Sequence, residues 1–196
     1  VSWAGRCVEE SGIKQWKKFV KLLSFILTIW QTICILIYIN KSYKMLVLRK
    51  ENIMNECFYC EDGEKRKSLM IEICRLKYST VYLNRNQKYR GRCVVKLNDH
   101  KTEYFQMDTE ERNGYFAETA AVAKAIFELY HPDKINYATF GDLVPHVHIH
   151  VVPKYQNGAD WGSPFDDTQG KVVLEEAEYQ EMVDALGAKI KELMNY

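Results

Sequence analysis

The segment PHVHIHVVP, residues 145–153, places three of the chain's five histidines at every second position. Alternation of polar and apolar residues is the period of a β-strand, so His146, His148 and His150 are expected to share one face. The valines and the isoleucine between them should pack on the core. At about 3.3 Å per residue the outer Cα atoms lie about 13 Å apart, which argues against a three-histidine zinc site on this strand. The three imidazoles are therefore expected to divide their roles.

The composition indicates one globular domain with an appendage. Of 196 residues, 47% are hydrophobic and 27% are charged, as in folded soluble domains. The formal net charge of +1 gives no basic surface for nucleic acid, so no nucleic-acid partner is expected. Six cysteines are too few and too scattered for a disulfide-stapled mini-protein, and we expect reduced thiols and a cytoplasmic location.

The first 53 residues differ in character from the rest. Residues 22–39 are uncharged and are flanked by basic residues on both sides, a length that just reaches a membrane-spanning helix. The chain starts with Val1, and Met54 directly precedes a segment of another kind. Residues 1–53 are therefore interpreted either as an extension with a membrane helix, which would tether the protein, or as a non-native leader. The working domain is expected over residues 54–196.

The pattern after Met54 predicts an α+β domain with an antiparallel sheet of about five strands and helices packed on it. β-branched and aromatic residues indicate two strands in residues 67–84, and further strands at residues 92–97 and 135–140, followed by the histidine strand. A capping box of Asp108 and Glu111 predicts a helix that ends before Pro132. Its buried face is expected at spacings of three and four: Phe116, Ala120, Ala123, Phe127 and Tyr130. A last helix is expected from about Leu174, with one apolar face: Tyr179, Met182, Leu186, Ile190 and Leu193.

A cysteine pair with metal-ligand spacing opens the domain. Cys57 and Cys60 form a CxxC, whose tight turn lets two thiolates face one ion, and two neutral imidazoles would complete a closed, structural zinc site. Two ordinary buried thiols or a redox pair are the alternatives.

These pieces together resemble the histidine triad nucleotide hydrolases and transferases, whose motif is His-φ-His-φ-His-φ-φ with φ apolar. Residues 146–152, HVHIHVV, fit every position, and GRCVVKLNDH, residues 91–100, is similar to the family's stretch of glycine, strand and terminal histidine. The cysteine pair resembles that of the zinc-containing branch, which includes diadenosine polyphosphate hydrolases. The resemblance covers roughly residues 54–155 and implies a homodimer whose sheet continues across the interface.

The resemblance also implies roles for the histidines. His100 and His146 would complete the zinc site with the two cysteines. His148 would attack the α-phosphorus as a neutral imidazole, which needs its second nitrogen held by an acceptor. His150 would hydrogen-bond the phosphate oxygens during transfer. No catalytic metal is expected.

Three further positions are expected to contact the nucleotide. Asn84 stands where the family has an acidic residue that holds the ribose. Arg92 replaces a usual histidine and offers a fixed charge and paired donors for phosphate. Asp142 stands in the turn where the family has glutamine, and a carboxylate there is unfavourable for phosphate unless it orients a histidine or is offset by Arg92.

The expected function is hydrolysis at the α-phosphate of a nucleotide conjugate, either a dinucleoside polyphosphate or a nucleoside phosphoramidate, through a nucleotidyl-histidine on His148. The alternative is a nucleotide-binding or regulatory module with little turnover, which the residues at positions 92 and 142 favour.

Overall fold

The computed structural model describes the backbone of residues 3–195, so Val1, Ser2 and Tyr196 lie outside it; side chains are described except for residues 3–15, 26, 34 and 46–56. The chain divides into two compact units between Ile53 and Met54, and each is described by itself.

The described backbone of the first unit is helical and belongs to helix α1, whose bounds are Trp3–Glu56. Within it, Trp16–Met45 is the one described segment that is long and apolar enough to cross a membrane, judged by length and composition. The large apolar side chains described in this segment are exposed on all sides of the helix, and Trp16, Phe25 and Trp30 are among them.

The second unit is built on a five-stranded sheet. The strands are β1 (Met70–Arg75), β2 (Ser79–Asn84), β3 (Cys93–Leu97), β4 (Lys134–Ala138) and β5 (His148–Lys154). All pair antiparallel, in the order β1-β2-β3-β5-β4, and a β-bulge interrupts β1 between Glu72 and Cys74. The predicted α+β class and the antiparallel five-stranded sheet are confirmed.

Three helices accompany the sheet: α2 (Glu64–Leu69), α3 (Thr109–Tyr130) and α4 (Glu176–Met194). The core lies between one sheet face and helices α3 and α4, and it includes Val147, Ile149 and Val151 from the histidine segment. The predicted apolar face of α4 is confirmed for Tyr179, Met182, Leu186 and Ile190, which are buried, while Leu193 is half-buried.

The buried face of α3 differs from the prediction. Phe116 and Phe127 are 45% and 51% exposed, and of the predicted stripe only Ala123 is fully buried. The buried residues are instead Tyr115, Glu118, Thr119, Val122, Ala123, Ala125 and Ile126. The helix is rotated because the Glu118 carboxylate faces β2, where it accepts hydrogen bonds from the Tyr78 N–H (2.9 Å) and the Ser79 hydroxyl (2.6 Å).

Only half of the predicted capping box forms at the start of α3. The Asp108 carboxylate accepts the Glu111 N–H at 2.9 Å, as expected of an N-cap. The Glu111 side chain does not return to Asp108, because it is ion-paired with Lys101.

The histidine strand is shorter than the alternation predicts. Strand β5 begins at His148, so His146 lies in the connection that precedes the ladder. There the His146 N–H donates to the Val144 carbonyl at 2.8 Å, and the Val147 N–H donates to the Lys101 carbonyl at 2.7 Å. This turn frees the His146 side chain to point at a different cluster from the other two histidines.

Candidate functional site

Four side chains with metal-ligand chemistry converge above the sheet. The donor atoms of Cys57, Cys60, His100 and His146 all lie within 4.8 Å of one another. The Cys57 sulfur lies 3.4 Å from His146 Nδ1, and the Cys60 sulfur lies 3.3 Å from His100 Nδ1 and 3.5 Å from His146 Nδ1. Zn–S and Zn–N bonds of about 2.3 and 2.05 Å at a tetrahedral angle place S and N about 3.6 Å apart. The donor set and its spacing therefore fit a tetrahedral zinc ion.

The backbone explains how these four residues meet. A turn closes the CxxC, in which the Cys60 and Glu61 N–H groups both donate to the Cys57 carbonyl at 2.9 Å. His146 Nε2 donates to the Leu97 carbonyl at the end of β3, at 2.9 Å, so its Nδ1 carries the lone pair toward the sulfurs. Such an outer hydrogen bond is typical of a metal-binding histidine.

Burial acts on the charges of this cluster. It raises the pKa of the Cys60 thiol to about 12 and lowers the pKa of His146 to about 4. A pair of thiolates at this position needs a compensating cation, which is what a divalent metal supplies.

His148 is buried and held in one tautomer. Its Nδ1 lies 2.7 Å from the His146 carbonyl oxygen, which can only accept, so Nδ1 carries the proton and Nε2 carries the lone pair. The ring of Tyr59 packs on it with centroids 4.7 Å apart. Burial lowers the pKa of His148, which favours the neutral imidazole. A fixed neutral imidazole with a free nitrogen is the state that nucleophilic attack requires.

His150 is held in the opposite tautomer. Its Nδ1 lies 3.3 Å from Arg92 Nη2, and because a guanidinium can only donate, Nδ1 is the acceptor and Nε2 carries the proton. Burial, with the Arg92 charge as second cause, lowers its pKa to about 3. The centroids of the His148 and His150 rings lie 5.1 Å apart, and the ring planes meet at 87°. Together they offer a lone pair beside an N–H donor.

Arg92 lies under this pair and is almost fully buried, with 2% of its surface exposed. Its guanidinium stacks on the Phe165 ring at 4.7 Å, and its Nη1 forms an ion pair with Asp167 at 2.9 Å. Neither Nε nor Nη1 makes a hydrogen bond with the described residues. Both atoms are buried, so the group can act on a bound anion through its charge and through the His150 ring that it holds.

The remaining two predicted positions are less closely involved. Asn84 ends β2, and its N–H donates to the Arg92 carbonyl at 3.1 Å, while its side-chain oxygen accepts the Asn86 N–H at 2.8 Å. Asp142 is exposed in the connection from β4 to β5, and no hydrogen bond or ion pair joins it to a histidine or to Arg92 within residues 3–195. The carboxylate that offsets Arg92 is that of Asp167.

Sequence reasoning missed Tyr59, Phe165 and Asp167. Tyr59 stands inside the CxxC, so its place beside a metal cluster was implicit in the motif. Phe165 and Asp167 lie in the long connection between β5 and α4, where no periodicity marks a residue's direction.

Comparison with known proteins agrees with this fold and motif. Residues 67–157 match the family model of the HIT domain. An uncharacterised HIT-like protein of Mycoplasma genitalium is 24% identical over 132 residues, which are 65% of this chain and 92% of that protein. A histidine triad protein of Bradyrhizobium japonicum superposes with a TM-score of 0.61 at 24% identity and covers 66% of this chain and 97% of its own. A zinc-bound histidine triad protein of Mycobacterium smegmatis gives a TM-score of 0.52 at 21% identity, over 71% and 98% of the two chains. The match over residues 67–157 identifies a HIT domain in this chain, and the solved histidine triad structures share its fold.

Proposed function

We propose that residues 54–196 hydrolyse a nucleotide conjugate at its α-phosphate, with His148 as the nucleophile. The observation that carries this proposal is the pair of opposite tautomers. His148 Nε2 offers a lone pair for attack on phosphorus, and His150 Nε2 offers an N–H to a non-bridging phosphate oxygen. The two functions need these two protonation states at the same time.

The reaction consists of two displacements. His148 Nε2 forms a bond to the α-phosphorus while the bond to the leaving group breaks; a nucleoside polyphosphate leaves as the anion, and an amine leaves after its nitrogen takes a proton from solvent. Water then attacks the nucleotidyl-histidine, a proton is lost to solvent, and the nucleoside monophosphate leaves as the imidazole is restored. The His146 carbonyl stabilises the positive charge on the substituted ring through the Nδ1–H.

The substrate is expected to contact three further residues. Arg92 favours the phosphate through its positive charge and holds His150, which donates to the phosphate, while Asn84 holds the ribose. Asp142 lies in the exposed connection before β5 and is proposed to contact the substrate from there. Dinucleoside polyphosphates and nucleoside phosphoramidates both present an α-phosphate with one negative charge and a replaceable group.

A structural zinc ion held by Cys57, Cys60, His100 and His146 belongs to this proposal. Its support is the donor geometry described above, together with the zinc bound by the Mycobacterium smegmatis relative. Holding the ion, these four residues would tie the CxxC turn to the segment that precedes His148 and would fix Tyr59 against that ring; the role would be structural, with no part in the reaction.

The domain is proposed to work as a homodimer joined along β4. This strand is an edge of the sheet, and Tyr137 on it, with Phe116 and Phe127 on α3, leaves apolar surface exposed. An unpaired edge next to exposed aromatic rings is typical of an interface. Light scattering after size exclusion would give twice the chain mass, and Tyr137→Lys would lower it.

We assign the protein to the cytoplasm, since Cys57, Cys60, Cys74 and Cys93 are all unbridged. A membrane tether through residues 22–39 is the alternative, and resistance of the natural protein to carbonate extraction would favour it.

The test is the release of AMP from diadenosine polyphosphates and from adenosine phosphoramidate by the full chain. His148→Ala should abolish release, whereas His131→Asn should not, because His131 caps α3 in a left-handed conformation that asparagine tolerates. Equal activity of wild type and His148→Ala would remove His148 as the nucleophile. Nucleotide binding without AMP release by either protein would instead establish the binding module.

A further inference from the structure

The connection between β5 and α4 is fastened across the histidine end of the sheet. The Asp166 N–H donates to the Tyr89 hydroxyl at 2.9 Å, and Lys88 Nζ donates to the Asp166 carbonyl at 2.8 Å. Six residues later the Val172 carbonyl accepts the Gln87 N–H at 2.8 Å. These bonds hold the segment against the loop between β2 and β3, so they also fix the position of Asp167, the residue after Asp166.

The fastened segment delivers an acidic side chain to the proposed phosphate-binding cation. Asp167 lies 2.9 Å from Arg92 Nη1, and the Phe165 ring stacks on the guanidinium at 4.7 Å and lies 5.8 Å from the His150 ring. Arg92 is buried, whereas the Asp167 side chain is 47% exposed. The carboxylate therefore covers a buried cation from the solvent side.

A carboxylate in this place changes which phosphates the site can hold. It cancels the charge of Arg92 but leaves the contact between Arg92 Nη2 and His150 Nδ1, so His150 Nε2 keeps its N–H for the phosphate. A phosphate with one charge loses little, because the hydrogen bond from His150 Nε2 remains. A phosphate with two charges is repelled by the nearby carboxylate. An ester or amide linked at the α-phosphate has one charge, and the nucleoside monophosphate product has two near neutral pH.

We propose that Asp167 is a specificity-determining residue that makes the site select singly charged α-phosphates and release the doubly charged product. This inference rests on the proposed function, because it concerns the phosphate that His148 attacks. It narrows the substrate class to nucleotides whose α-phosphate is esterified or amidated, and it excludes free monophosphates as good ligands.

The test compares two ligands that differ by one charge. The full chain is titrated by calorimetry with AMP and with the methyl ester of AMP at about pH 8, where AMP carries both charges. In Asp167→Asn, AMP should bind about fivefold more tightly, the size of one partly exposed ion pair, while the affinity for the methyl ester changes less than about twofold. Asp166→Asn is the matched control, since it removes one charge from the neighbouring residue and keeps the oxygen that accepts from Thr168.

Further variants distinguish failure of the role proposed for Asp167 from failure of the proposed function. In an Arg92→Gln background the effect of Asp167→Asn on AMP should vanish if it acts through this cation. Weaker binding of both ligands by Asp167→Asn would mean that the carboxylate only orients Arg92, and unchanged binding of AMP would also overturn the inference. Failure of wild type and all variants to bind either nucleotide would remove the proposed function itself.

Discussion

Removal of the metal should cost the domain a large part of its stability, and Cys60 is the position at which to test this. The Cys60 sulfur contacts both imidazoles of the cluster, at 3.3 and 3.5 Å, so Cys60→Ser removes a donor that touches two others. The observed S···N separations lie within about 0.3 Å of the tetrahedral value, so zinc binds with little rearrangement. At free zinc about 1,000-fold above Kd, binding contributes about 4 kcal/mol to the free energy of unfolding.

The assay is thermal unfolding with and without a chelator, together with the zinc content of the purified chain. About 4 kcal/mol corresponds to a fall of about 8–16 °C in Tm for a domain of this size. Cys60→Ser should contain little zinc and should melt at the temperature of the chelated wild type. Cys74→Ser is the control, because Cys74 is a half-buried thiol on β1 outside the cluster. A wild type that contains no metal and whose Tm is unchanged by chelator and by added zinc would refute the reasoning.

Three further outcomes concern stability. The pKa of His150 is about 3 in the folded chain and near 6.5 in the unfolded chain, so the unfolded chain binds the proton first as the pH falls. The free energy of unfolding should therefore drop between pH 6.5 and about 3, by up to about 1.4 kcal/mol per pH unit. His150→Gln should flatten that pH dependence, measured by urea titration at each pH. Glu118→Ala leaves the buried Tyr78 N–H and Ser79 hydroxyl without their acceptor and should lower the free energy of unfolding by about 2–4 kcal/mol. Gly114→Ala places a Cβ 2.1 Å from the Tyr78 ring and should cost about 1–3 kcal/mol.

Glu118→Ala and Gly114→Ala each have a matched control variant. Glu181→Gln removes an exposed carboxylate on α4 and should leave stability within about 0.5 kcal/mol. Gly187→Ala places its Cβ 3.6 Å from Ile73, an ordinary contact, and should be neutral or stabilising. If Gly187→Ala and Gly114→Ala were equally destabilising, close approach of the Tyr78 ring would not be the cause. An unfolding free energy that is independent of pH below 6.5 would show that His150 does not resist protonation.

Local patterns were enough to predict the sheet and the shared face of His148 and His150. The alternation around His148 determines which side chains face the core, because the two faces of a strand differ at every residue. The spacing of Cys57 and Cys60 brings two sulfurs together within a single turn, whatever the rest of the chain does.

The parts that sequence did not predict depend on distant contacts. The face of α3 could not be read from its pattern, since the helix carries two apolar stripes and the choice depends on the backbone N–H and hydroxyl that Glu118 meets on β2. The protonation states of His148 and His150 depend on a carbonyl and a guanidinium, whose positions only the folded chain defines. Asp167 lies in an irregular connection whose residues follow no periodic pattern, so its ion pair with Arg92 could not be predicted from the sequence.

The most direct test of the central claim is the stereochemistry of the reaction at phosphorus. A substrate with a single-configuration α-phosphorothioate is hydrolysed by the full chain in isotopically labelled water, and the configuration of the nucleoside phosphorothioate is determined. Each in-line displacement inverts phosphorus, so attack by His148 followed by attack by water predicts overall retention. Overall inversion would mean one direct displacement by water, and it would contradict a nucleotidyl-histidine intermediate.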